Sequence, residues 1–120
     1  MNQMTEAEAM QQINELTSHV WMVRTFLKHC EEAEGDDELM EIPRELYDYM
    51  LALGPPWTDQ DAAAYVKMAR KKFKKLRQAS EAFNALQPEI SNHTNFQMAA
   101  LSLTVAVREI AKVLDQLSAK

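Results

Sequence analysis

The sequence predicts an all-α protein: an antiparallel up-and-down four-helix bundle with three long helices and one short one. Three observations carry this expectation. Turn-formers are scarce: the 120 residues include 2 glycines and 4 prolines, and three of these six fall together at Gly54, Pro55 and Pro56. A many-stranded fold needs more turn chemistry than that. Apolar residues recur at steps of three and four, the spacing that aligns side chains on one side of a helix. The stretches between these stripes are brief, and brief connections favour antiparallel neighbours. With 47% apolar residues, a single domain over 1–120 can build its own core, since a chain of this size buries roughly two-thirds of its unfolded surface.

The first helix is expected from about Glu6 to Ala33. Thr5 and Glu8 have capping-box spacing, in which the hydroxyl accepts from an unpaired N–H and the carboxylate reaches back. Ile13, Leu16, Val20, Val23, Leu27 and Cys30 then form one stripe. Gly35 suits the turn that follows, because glycine tolerates the left-handed conformation common after helix ends. Asp36, Asp37, Glu38 and Glu41 read as a solvated linker, without the ligand spacing of a calcium loop. A short second helix is expected over 43–53, with Pro43 in its first turn, an apolar face of Leu46, Tyr47, Met50 and Leu53, and a stop at Gly54-Pro55-Pro56. The third helix, over 59–86, starts from a cap at Thr58, carries Ala62, Val66, Ala69, Phe73, Leu76, Ser80 and Phe83, and ends before Pro88.

The fourth helix, over 94–118, has the most regular stripe in the chain: Phe96, Ala100, Leu103, Val107, Ile110, Leu114 and Leu117. Ser91, Asn92 or Thr94 can cap it. Met98, Leu101 and Val105 form a second stripe on its opposite side. A helix that is apolar on two sides is buried twice, either inside the monomer or against another chain. Trp21 raises the same question on the first helix. It stands off the main stripe, about one turn from Thr17 and Arg24, either covered by the second helix or serving as an interface anchor.

Charge and cysteine content narrow the functional classes. The only cysteine, Cys30, excludes a fold stapled by internal disulfides. The polar N-terminus has no secretory pattern, and no run of about 18 apolar residues suggests a membrane span, so the cytoplasm is the expected compartment. The net charge of −5 hides an asymmetry: residues 1–61 hold 14 acidic and 3 basic side chains, and residues 62–120 hold 4 acidic and 10 basic. Seven of those bases fall within eleven positions, at Lys67, Arg70, Lys71, Lys72, Lys74, Lys75 and Arg77. Such a stripe faces either the acidic helices of the first half or an external polyanion, and phosphate binding of this kind weakens with salt.

Catalytic patterns are sparse. Glu-x-x-His, C-x-x-C, H-E-x-x-H and P-loop spacings are missing, so no metal or cofactor is expected. Cys30 reads as a small core residue, and His29 beside it points about 100° away. Glu15 and His19 have the spacing of a surface pair, and His93 sits in a polar loop suited to capping. Arg24 and His29 resemble the R-x4-H pattern of small helical ribonucleases of the HEPN class. The resemblance covers two residues that diverge by about 140° on a regular helix, and it assigns no family. The expected function is therefore protein–protein interaction or assembly, with a homodimer through the last helix or the Trp21 face. Weak nucleic-acid or other polyanion binding through the basic stripe is the alternative, and a small hydrolytic or nucleolytic enzyme using the histidines stands behind both.

Overall fold

The computed structural model describes residues 4–118, so the two ends of the 1–120 domain lie outside the described residues. Four helices make up the fold: α1 over Glu6–His29, α2 over Asp37–Thr58, α3 over Ala62–Ile90 and α4 over Thr94–Ser118. A 3-10 turn, Glu31–Ala33, links α1 to α2. Each helix packs on its neighbours in sequence, α4 closes the ring against α1, and α1 also meets α3 across the diagonal. This is the up-and-down antiparallel bundle. Its longest dimension is 47 Å, close to the ~1.5 Å rise per residue summed over the 29 residues of α3.

The capping box of α1 and the turn at Gly35 work as the residues suggest, whereas α3 and α4 take other caps, Asp61 and His93. Thr5 Oγ1 accepts from Glu8 N–H at 3.0 Å, and Glu8 Oε1 accepts from Thr5 N–H at 2.9 Å. Gly35 takes φ +81° at the turn. Asp36 and Asp61 cap α2 and α3, accepting from the N–H groups of Leu39 and Ala64 at 3.0 Å each. The acidic segment at 36–38 therefore opens α2 and is not a linker, with Asp37 and Glu38 at the positive end of the helix. The cap of α3 is Asp61, not Thr58.

The helix lengths correct the sequence reading at three points. α1 ends at His29, with Cys30 extended as its C-cap, and Ala33 belongs to the 3-10 turn. The second helix is not short: its 22 residues contain Pro43, Pro55 and Pro56. α3 likewise runs through Pro88. A proline removes one donor and crowds the carbonyl four residues back, at about 3 kcal/mol in a helix interior. It leaves all later donors intact. Asp59 N–H bonds to Pro55 O at 3.0 Å, Asp61 N–H to Pro56 O at 2.9 Å, and Ser91 N–H to Gln87 O at 3.0 Å. Pro43 itself is buried beside Leu39 and Ile42, and that burial offsets the lost bond.

The core runs the length of the bundle. All seven residues of the main α4 stripe are buried, as are Ile13, Val20, Val23 and Leu27 of α1. Leu16 and Cys30 are half-buried at its edge. The α2 stripe is displaced: Tyr49 is buried and Tyr47 exposed. Tyr49 Oη donates to Ala69 O at 3.1 Å, which lets a phenol occupy the core. Among the described residues, no helix is long and apolar enough to cross a membrane.

Candidate interaction surfaces

The α1/α4 seam positions the second stripe of α4. His19 Nδ1 lies 3.3 Å from Ser102 Oγ, and the rings of Phe26 and Phe96 meet edge to face with centroids 5.0 Å apart. These contacts fix the register of the two helices. His19, Met22 and Phe26 are spaced i, i+3, i+7 and share the side of α1 that borders α4. Met98, Ser102 and Val105 share one side of α4 at i, i+4, i+7. Met22 thus stands level with Met98 along the outer rim of the seam, and Leu101, one turn from Met98, continues that surface across the outer face of α4. The three are 64%, 52% and 54% exposed, and Val105 is half-buried. No Asp, Glu, Lys or Arg occurs from Thr94 to Val107, so this rim lacks the charges that ordinarily cover an outer helix face. Among the described residues, neither the other helices nor the loops cover Met98 and Leu101 of this stripe. Met22 was missed because its neighbours on the sequence stripe assign it to no face until α4 is in place.

Trp21 lies on the other side of α1, toward α2. The guanidinium carbon of Arg24 sits 4.9 Å from the Trp21 ring centroid and 4.9 Å from that of Tyr47. The cation is held between two aromatic faces, an attraction between charge and ring quadrupole. Trp21 is 45% exposed, so α2 covers it only in part. Next to it opens a hollow of about 370 Å³ lined by Thr17, Ser18, Met50, Gly54 and Trp57. A Cβ on Gly54 would meet nothing within 4 Å, so the hollow is open at that point.

The basic stripe of α3 divides between two grooves. Lys72 and Lys75 share a groove of about 570 Å³ with Glu41, Glu45 and Asp48 of α2. Burial first, then the charges of Glu41 and Asp48, push the Glu45 carboxyl above its ordinary value, while Lys75 opposes them. Lys67, Arg70 and Lys71 share a second groove with Glu6 of α1, and Arg70 Nη2 donates to Leu114 O at 3.2 Å. Lys67, Arg70, Lys71, Lys74, Lys75 and Arg77 are all exposed. The acidic first half and the basic second half therefore meet along the α2/α3 and α1/α3 borders.

The remaining candidates have structural partners. His19 meets Ser102, not Glu15, whose carboxylate accepts from Gln11 Nε2 at 3.1 Å. His93 Nδ1 accepts from Asn95 N–H at 3.0 Å and thereby caps α4, in keeping with its polar loop. Cys30 Sγ donates to Leu27 O at 3.2 Å, and burial pushes its thiol above the ordinary value, the opposite of an activated nucleophile. Arg24 is held on Trp21 and Tyr47, while His29 lines a different hollow with Cys30 and Met40. The R-x4-H pair is thus not brought together. Among the described residues, no group of three or more His, Cys, Asp or Glu is placed to hold a metal ion. No protein-family model matches this chain, and no curated protein and no solved structure is significantly similar to it.

Proposed function

We propose that the protein is a non-catalytic assembly module that pairs with a second copy of itself through the outer α1/α4 rim. The observation that supports this reading is the uncharged run from Thr94 to Val107, whose Met98 and Leu101 lie exposed beside exposed Met22. Contiguous exposed apolar surface marks association sites. A two-fold contact brings the same patch of each copy together, so Leu101 of one protomer meets the rim of the other. The test is the sedimentation coefficient of the wild type and of Leu101→Glu at matched concentration. The substitution keeps the helix and adds a charge at the rim, so a folded variant sediments as the smaller species. Equal sedimentation of the two would overturn the reading.

Polyanion binding by α3 is the second reading. Lys67, Lys71 and Lys74 are exposed and make no hydrogen bond or ion pair within 4.0 Å among the described residues, which leaves them available to phosphates. On this reading, labelled DNA or RNA binds at low salt, loses affinity as salt rises, and is released by Lys71→Glu with Lys74→Glu.

A further inference from the structure

We infer that the α1/α2 face carrying Trp21, Arg24 and Tyr47 is a docking surface for an acidic amphipathic peptide segment of a partner protein. Three features converge there. The first is the side-chain set. Trp, Tyr and Arg are the residue types that dominate binding energy at protein interfaces, and here they form one stack with the guanidinium 4.9 Å from each ring. Stacking occupies the two flat sides of a guanidinium and leaves its N–H donors at the edge. Arg24 makes no hydrogen bond or ion pair among the described residues. Its fork is held in place and unused, a geometry suited to a carboxylate, and the two rings lower the entropy lost on binding.

The second feature is charge. Residues 1–61 contain 14 acidic groups and only three basic ones, Arg24, Lys28 and Arg44. Arg24 and Lys28 share this face: Lys28 is one turn beyond Arg24 on α1, on the side that reaches Met40 of α2. Arg44, one turn before Tyr47, is paired with the Glu41 carboxylate at 3.7 Å. No acidic residue occurs on α1 between Thr17 and Lys28, while Glu45 and Asp48 of α2 turn to the groove shared with α3. A strongly acidic half of the molecule thus presents Arg24, with Lys28 one turn away, beside exposed aromatic rings.

The third feature is the hollow of about 370 Å³ beside Trp21, walled at its far side by Trp57 and open over Gly54. It offers room for one apolar side chain. A helical or extended segment with one aromatic or aliphatic anchor and flanking carboxylates satisfies the hollow and the cations together. The net charge of −5 supplies no long-range attraction for an acidic segment, so recognition at Trp21 depends on these local pairs and on the apolar anchor, which the lysine stripe of α3 lacks.

The test uses the intact protein and a phage-displayed library of random peptides long enough for about four helical turns. Wild type is the bait, with Arg24→Gln and Trp21→Ala as counter-selection baits, each checked for unchanged helical circular dichroism. The expected result is a set of peptides that combine Asp or Glu with Trp, Phe or Leu. As synthetic labelled peptides, these bind wild type at least about tenfold more tightly than either variant. Arg24→Lys, which keeps the charge and loses the planar fork, weakens them as well. Recovery of no peptide that prefers the wild type overturns the inference, as does recovery of peptides with no acidic excess. A fall in the protein's own sedimenting mass on Arg24→Gln also overturns it, because the occupant is then a second copy. That outcome is separate from the α1/α4 reading, which Leu101→Glu tests.

Discussion

Tyr49 and Tyr65 are both buried phenols, yet only one has a hydrogen bond. Tyr49 Oη donates to Ala69 O. Tyr65 Oη has no partner among the described residues. Thr17 lies near it, with its hydroxyl proton donated to Asn14 O at 2.7 Å. A net buried hydrogen bond contributes about 1 kcal/mol, whereas an unpaired buried hydroxyl is itself destabilising. Tyr49→Phe is therefore expected to lower the unfolding free energy by about 1 kcal/mol. Tyr65→Phe is expected to leave it unchanged or raise it. Urea unfolding followed by circular dichroism checks both signs, and equal losses would contradict the assignment. Burial also raises both phenol pKa values above their ordinary 10.0. The folded chain then keeps protons that the unfolded chain releases above pH about 10, so stability is present below that pH and falls as pH rises beyond it. The double variant Tyr49→Phe, Tyr65→Phe is expected to lose less stability than wild type between neutral pH and pH about 11. A parallel loss in the two proteins would contradict this.

At the scale of the element, the two glycines do opposite work. Gly35 holds φ +81°, where a side chain strains the backbone; Gly54 is helical, with open space around its would-be Cβ. Gly35→Ala is expected to destabilise by about 1 kcal/mol. At Gly54 the helix-propensity gain of up to about 1 kcal/mol is opposed by the clash between a new Cβ and the Pro55 ring, so thermal melts should show a clear loss for Gly35→Ala and a smaller shift for Gly54→Ala. Much of each element was legible beforehand. The α4 stripe, the Thr5–Glu8 capping box and the left-handed Gly35 all follow from local spacing, because each depends on residues within two turns of one another. The lengths of α2 and α3 were not. Reading Pro43, Pro55 and Pro88 as boundaries weighs the lost donor and omits what tertiary burial and the later donors restore. The exchange of Tyr47 for Tyr49 in the core has a related cause. With the helix extended back to Asp37, the stripe through Leu39, Ile42, Leu46 and Leu53 rotates the inward face toward Tyr49.

At the scale of the whole molecule, the fold sorts its surface into three unlike faces. The uncharged rim lies along α1 and α4, the cation–aromatic stack along α1 and α2, and the lysine stripe along α3 beside the acids of α2. The sequence exposes the ingredients, since Trp21, Leu101 and Lys71 all stand off the core stripes. It does not show their company. Met22 comes level with Met98 only through the register set by His19–Ser102 and Phe26–Phe96, and Tyr47 joins Arg24 and Trp21, already one turn apart on α1, only when α2 packs beside them. Such pairings join distant residues and leave no periodic signal. The most direct test of self-assembly is the equilibrium sedimentation mass of the wild-type protein across a wide concentration range. The account predicts a mass that rises with concentration from the monomer's 13.8 kDa toward twice that value. A mass fixed at 13.8 kDa throughout would contradict it.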